Sequence, residues 1–181
     1  MSAFPLTAGS LTIRPLIPED VAPLRRWLTT PEVLAYYEGR DRPHTEEMVR
    51  ERYLSKTGEP VQGLLILWWD APAGYLQVYP LSMADCVAYG YEPGLSVFGM
   101  DLFIGEPSLW NQGIGTAVVM EAAHALFTRG GAQRLVVDPR VENDRAVHVY
   151  KKCGFAIQKR LVRHEHHEGA WHDCWLMEKR A

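Results

Sequence analysis

Cysteine is scarce in this chain: Cys86, Cys153 and Cys174 are the only three in 181 residues. An odd, widely spaced set argues against a disulfide framework. A basic run is missing and the net charge is −3, so the electrostatic footprint of a nucleic-acid binder is absent. No apolar run approaches membrane-spanning length, so no membrane partner is expected. The opening Met1-Ser2-Ala3-Phe4-Pro5 has neither a basic start nor a long apolar region, and no signal peptide is expected. Internal repeats and low-complexity linkers are also lacking. These absences, with ordinary apolar and charged fractions, predict a cytoplasmic protein with one domain over residues 1–181, large enough to bury a real core.

What is present alternates between two periodicities. Leu11–Leu16 reads as an opening strand, and Pro15 places its end or an edge there. Pro18-Glu19-Asp20 starts a helix with Val21, Leu24, Trp27 and Leu28 as its apolar stripe. A second helix runs from Thr45 to about Leu54. Gly63–Asp70 and Gly74–Tyr79 read as strands joined by Ala71-Pro72-Ala73. Leu81–Pro93 reads as a loop-like insert and Gly94–Gly105 as a central strand. A long helix follows from Gly113 to Arg129, then a buried strand Arg134–Asp138 and a short helix from Asn143. Phe155–His164 and Ala170–Met177 form a final hairpin around Glu168-Gly169. The order β-α-α-β-β-β-α-β-α-β-β is that of a mixed α/β (α+β) domain.

Two stretches carry chemistry. Gln112-Gly113-Ile114-Gly115-Thr116 opens the long helix. A helix N-terminus offers unpaired N–H groups and a positive dipole end, and glycines let a pyrophosphate approach closely. The same residues also suit an ordinary helix start. The second stretch is Asn143-Asp144-Arg145-Ala146-Val147-His148-Val149-Tyr150-Lys151-Lys152-Cys153-Gly154-Phe155. Asn143 suits an N-cap, Ala146 and Tyr150 share a helix face, and Gly154 stops the helix. Tyr150 alone reads equally as a half-buried aromatic with a satisfied hydroxyl.

In this order, with a strand between them, the two stretches resemble the acyl-CoA cradle of the GCN5-related N-acetyltransferases. That family carries Asn-x-x-Ala-x-x-x-Tyr-x-x-x-Gly-Phe after a Gly-x-Gly/Ala pyrophosphate loop. It usually places Arg or Gln three residues before the first glycine; here that position is Trp110, with Gln112 next to the glycine. The resemblance implies a central, mixed, largely antiparallel sheet flanked by helices. It further implies acetyl-CoA as co-substrate, held by Leu102, Phe103 and Ile104, by Gln112 through Thr116, and by Asn143 and Ala146. Tyr150 would protonate the leaving thiolate.

Tyr36-Tyr37-Glu38-Gly39, Gly74–Tyr79, Pro93-Gly94 leading to Gly99-Met100-Asp101, and Val137-Asp138-Pro139 resemble one branch, the aminoglycoside 6'-N-acetyltransferases. That resemblance implies a small-molecule amine acceptor. Asp101 would orient it and help remove its proton, Asp138 would bind a second ammonium, and Glu168 would add a contact. Tyr37, Tyr89 and Tyr91 would line the pocket. Physically, a polycation rich in hydroxyls needs carboxylates and flat aromatic faces. An acid inside the apolar run Val97–Ile104 is costly unless used or paired, which favours a function for Asp101. Asp138 reads equally as a strand-end carboxylate capping Arg140 or a turn.

Other acceptors stay open: a protein N-terminus, a lysine, a polyamine or a siderophore precursor. So does a non-catalytic acyl-CoA-binding module. Cys153 reads as a packing residue. His164, His166, His167 and His172 lack zinc-finger spacing and read as a polar hairpin face near the acceptor mouth, so no metal is expected. Monomer and homodimer both remain possible.

Overall fold

The computed structural model describes residues 3–55 and 60–181. Its strands β1 (Leu6–Ala8), β2 (Leu11–Pro15), β3 (Gln62–Trp68), β4 (Ala71–Pro80), β5 (Val97–Ile104), β6 (Arg134–Val137), β7 (Ala156–His167) and β8 (Ala170–Arg180) form one sheet. The strand order is β1-β2-β3-β4-β5-β6-β8-β7. All neighbours are antiparallel except β5 and β6. The mixed, largely antiparallel sheet flanked by helices is therefore as the sequence implied.

Alternation along the strands divides the core between the two faces. Leu64 and Ile66 of β3, Leu76 and Val78 of β4 and Met100 of β5 pack beneath α5 (Ile114–Thr128) and α6 (Asp144–Lys152). Leu65, Tyr75 and Phe103 point to the other face. There they meet Val21, Leu24, Trp27 and Leu28 around α1 (Val21–Trp27), Leu34 of α2 (Pro31–Leu34), and Val49 and Tyr53 from α3 (Glu46–Val49) and the turn of wide helix after it (Arg50–Leu54). Each large aliphatic side chain fully buried in this way contributes about 1.5–3 kcal/mol.

Four local expectations change. A short strand, β1, precedes the first one expected; it pairs with Leu11–Ile13 only, so Pro15 loses no ladder bond to it. A brief helix, α2, follows α1. The β3–β4 turn falls at Trp69-Asp70, both with positive φ, rather than at Ala71–Ala73. The insert expected as loop contains α4 (Met83–Tyr89), capped by Ser82, whose hydroxyl accepts from Asp85 N–H. The final hairpin does turn at Glu168-Gly169, both at positive φ as a tight hairpin turn requires.

The feature that positions the site is a splay. β5 and β6 pair only at Val97↔Arg134, Phe98↔Leu135 and Gly99↔Val136. Among the described residues no strand pairs with Met100–Ile104 on that side. The wedge that opens there is faced by α6.

Candidate active site

The splay creates two cavities. The larger, of about 580 Å³, runs between β5, the N-terminus of α5 and α6. Leu102, Phe103, Ile104, Gly113, Ile114, Gly115, Thr116, Asn143, Ala146 and Tyr150 line it. The smaller, of about 340 Å³, lies toward the strand ends, lined by Asp101, Asp138, Glu38, Glu165, Gln77, Tyr79, Arg140 and His167. Tyr36, Tyr37, Leu102, Asn143, Ala146 and Tyr150 belong to both linings, so the cavities adjoin there.

The larger cavity follows from local sequence. Gly113 sits at φ 81° as the residue before α5, a left-handed conformation that glycine adopts without strain. The first-turn N–H groups beyond it have no intrahelical acceptor. Asn143 caps α6, its Oδ1 accepting from Ala146 N–H at 3.2 Å. Trp110 donates its indole N–H to the Ile104 carbonyl at 2.7 Å, filling the place where the family usually has Arg or Gln. The guanidinium of Arg145 lies 4.0 Å from the Trp110 ring centroid, at the cleft's edge. The sequence offers no local signal for that stacking, because α5 and β6 lie between Trp110 and Arg145 in the chain. Gln112 is a correction: its amide donates to the Ser108 carbonyl at 2.7 Å, and the side chain is exposed rather than lining the cleft. Free helix N–H groups, an apolar floor of Leu102, Ile104 and Ile114, and cations at Arg145 and Lys152 fit a nucleotide-tailed thioester.

Asp101 is built into the smaller cavity by register. Antiparallel pairing sets Tyr75 opposite Phe103, Gln77 opposite Asp101 and Tyr79 opposite Gly99, all on one face. Gln77 donates to the Asp101 carboxylate at 2.7 Å and accepts from the Tyr75 hydroxyl at 3.1 Å. Gly99 makes room for Tyr79: a Cβ there would lie 2.4 Å from the Tyr79 ring. Tyr37 packs on Phe103 with ring centroids 4.7 Å apart. Tyr150 enters from the opposite face, through the wedge. Burial first, then the Asp101 and Asp138 carboxylates, pushes its phenol far above the ordinary range, so it keeps its proton at neutral pH. Among the described residues no protein group takes up its hydroxyl in a hydrogen bond.

Asp138 does not cap Arg140. Its Oδ2 lies 2.9 Å from His164 Nε2, a hydrogen bond that raises the imidazole's affinity for a proton. Arg140 is buried, hydrogen-bonded to the Ala35 carbonyl, with its guanidinium 5.2 Å from the Tyr36 ring centroid. Three expected pocket residues lie elsewhere. Tyr89 reaches the site only through His164, at 3.5 Å. Tyr91 packs with Val97, Val136 and Leu176 beneath α4, because that helix carries it to the sheet's other end of β5. Glu168, at the hairpin tip, is held by the Arg40 side chain at 2.6 and 2.7 Å, which lowers its carboxyl to about 2.

The histidines separate. His172 meets Glu142 at 2.6 Å, His166 stacks edge-on against Trp171, and His167 lies 3.1 Å from Glu165. Among the described residues no group of three His, Cys, Asp or Glu could hold a metal. Cys153 is buried with its thiol raised by that burial, directed at the Thr116 carbonyl at 3.6 Å. No helix of the described residues is long and apolar enough to cross a membrane. Of the other lining residues, Glu165 went unmarked in the sequence; Glu38 and Tyr79 stood there only within stretches resembling the family branch, Arg140 only as a partner for Asp138, and His167 in the polar hairpin face.

The acetyltransferase (GNAT) domain signature matches residues 17–162. Over 151 residues the chain is 28% identical to the aminoglycoside N(6')-acetyltransferase type 1 of Klebsiella pneumoniae, spanning 82% of this chain and 75% of that one. The solved structure of aminoglycoside acetyltransferase AAC(6')-Ib with coenzyme A and kanamycin is similar at TM-score 0.75 and 25% identity, covering 94% of this chain and 95% of that one. Spermidine N-acetyltransferase from Vibrio cholerae, with CoA and spermine, shares the fold at TM-score 0.78 and 18% identity, with 96% of each chain covered. A signature match over most of its length means that the chain belongs to the GNAT acetyltransferase domain family, enzymes that take their acetyl group from acetyl-CoA.

Proposed function

We propose that this acetyltransferase acts on the 6'-amine of an aminoglycoside by direct transfer in a ternary complex. The observation that carries the reading is the junction of the two cavities. A cleft suited to a thioester opens, at Leu102 and Tyr150, onto a cavity holding Asp101 and Asp138. The 28% identity to an aminoglycoside N(6')-acetyltransferase supports the choice of acceptor, and a cytoplasmic acetyl-CoA pool would supply the donor. Antibiotic resistance would follow from such an activity.

In this reading Asp101 takes a proton from the acceptor ammonium, directly or through a water. The freed amine forms its bond to the acetyl carbon while backbone N–H groups near Phe103 hold the carbonyl oxygen. Tyr150 gives its proton to sulfur as the carbon–sulfur bond breaks, and regains one from solvent. The nitrogen loses two protons overall; one is balanced by the thiol formed and one is released. General acid–base groups of this kind contribute ~100- to 10,000-fold, and alignment of the two substrates supplies the rest.

The test is thiol release from acetyl-CoA across kanamycin, tobramycin, a 6'-hydroxyl analogue, spermidine, lysine and an N-terminal peptide. Turnover on the 6'-amino compounds, and none on the 6'-hydroxyl analogue, is expected. Turnover confined to spermidine, lysine or the peptide would discard the aminoglycoside while leaving the donor cleft in place. Binding of acetyl-CoA without turnover on any amine would turn the reading to a non-catalytic module.

Arg145 would supply the donor phosphates with the cation that Trp110 does not. Arg145→Ala should raise the KM for acetyl-CoA about 3- to 10-fold, the scale of one exposed charge-assisted contact, with kcat little changed. An unaltered KM would remove Arg145 from that contact.

A further inference from the structure

The strand β7 is not regular where it reaches the acceptor cavity. Leu161 pairs with Cys174 and Glu165 with His172, so four residues of β7 span the step that two of β8 take. Arg163 sits in that bulge at φ 51°. Asp173 of β8 clamps it, accepting from Arg163 N–H at 2.7 Å and from the Arg160 guanidinium at 2.7 Å. In an unbroken strand the consecutive residues His164 and Glu165 would point to opposite faces. Bulges re-aim side chains, and here both serve the same end of the sheet. His164 reaches Asp138, and Glu165 lines the cavity with Asp101 and Asp138.

The two residues then differ in what they leave uncompensated. His164, favoured in its protonated form by Asp138, offsets that carboxylate's charge from within the protein. Glu165 has His167 at 3.1 Å, and burial together with Arg140 disfavours a charge on that ring. Burial and then Asp138 hold the Glu165 carboxyl up to about 7, with Arg140 and His164 opposing that shift. Glu38, Asp101, Asp138 and Glu165 line this cavity together with the Arg140 guanidinium, so carboxylates outnumber arginine there and an arriving ammonium group would be favoured.

We infer that Glu165 is a specificity-determining residue of the acceptor cavity, where it and Asp138 together hold a second ammonium of the acceptor while Asp101 works on the first. The inference rests on reading this cavity as the acceptor site, and it holds for any diamine of suitable span, whether or not the acceptor is an aminoglycoside. Its consequence is that the enzyme demands a dication or polycation and discriminates against monoamines.

The experiment compares steady-state acetylation of kanamycin, 1,5-diaminopentane and pentylamine by the wild type and by Glu165→Gln. The wild type should show a kcat/KM at least tenfold higher for the diamine than for pentylamine. Glu165→Gln should raise the KM for kanamycin and the diamine about tenfold. The KM for acetyl-CoA, the kcat and the constants for pentylamine should hold, and Glu165→Asp should recover part of the loss. Equal KM values for kanamycin and the diamine in wild type and Glu165→Gln would overturn the assignment, and so would a wild type indifferent to the second amine. Turnover on the diamine but not on kanamycin, with the Glu165→Gln loss intact, would sustain Glu165 and retire the aminoglycoside reading. The wild-type comparison needs no variant and stands even where a substitution perturbs folding.

Discussion

Tyr150→Phe is expected to lower kcat about 100-fold or more while acetyl-CoA binds as tightly as before. Tyr150 lines both cavities, so its hydroxyl is the proton donor common to donor and acceptor space. Burial keeps the phenol protonated at neutral pH, the state an acid must start from. The substitution leaves the ring, which packs 5.6 Å from Phe155, and removes a hydroxyl that no described protein group engages. The folding cost should therefore stay within about 1 kcal/mol. Thiol release gives kcat and calorimetric titration gives the acetyl-CoA affinity. A variant that turns over at the wild-type rate would strip Tyr150 of the acid role, and one that loses acetyl-CoA binding would make it a packing residue of the donor cleft.

Asp101→Asn should cost ~100- to 10,000-fold in kcat/KM for the acceptor, the range of a general base. Asparagine keeps the shape and an oxygen for the Gln77 amide, now at 2.7 Å from the carboxylate, so the β4–β5 register should persist. What disappears is the charge that receives the acceptor's proton. The deficit should therefore shrink as pH rises and solution supplies more of the neutral amine. Ratios of kcat/KM between wild type and variant, taken across a pH series, measure this. A ratio constant with pH would assign Asp101 to binding alone, and an unchanged rate in a folded variant would free it from the reaction.

Both residues were legible in the chain for different reasons. Tyr150 belongs to a helix whose cap, face and stop are all local: Asn143 caps, Ala146 and Tyr150 share a face, and Gly154 at φ 88° ends it. Asp101 stood out as an acid in an apolar strand. Local rules served the long α5 and the final hairpin equally well. They failed for Gln112, whose amide folds back to Ser108, and for Tyr91, which packs with Val97, Val136 and Leu176 at the far end of β5. Glu168 looked like a ligand group at a hairpin tip, yet Arg40, 128 residues earlier, takes it up. No pattern within the hairpin announces that partner.

Glu165 shows the limit most sharply. Strict alternation assigns His164 and Glu165 to opposite faces, and only the pairing of β7 with β8, clamped by Asp173, reveals the bulge beyond which Glu165 lines the cavity and His164 meets Asp138.

By itself, then, the amino-acid sequence determined the family, the donor and the main order of strands and helices apart from β1, α2 and α4, and it singled out the two residues proposed for acid–base work, because helix caps, glycine turns and strand alternation act over a few residues. The tertiary structure decided the rest. Where β5 parts from β6 is a matter of register between distant strands, and it is that parting which lets Tyr150 from one face of the sheet share a cavity with Asp101 on the other. Which carboxylates stay available to a cation depends on which arginines and histidines fold against them, and that is settled only when the whole sheet is in place.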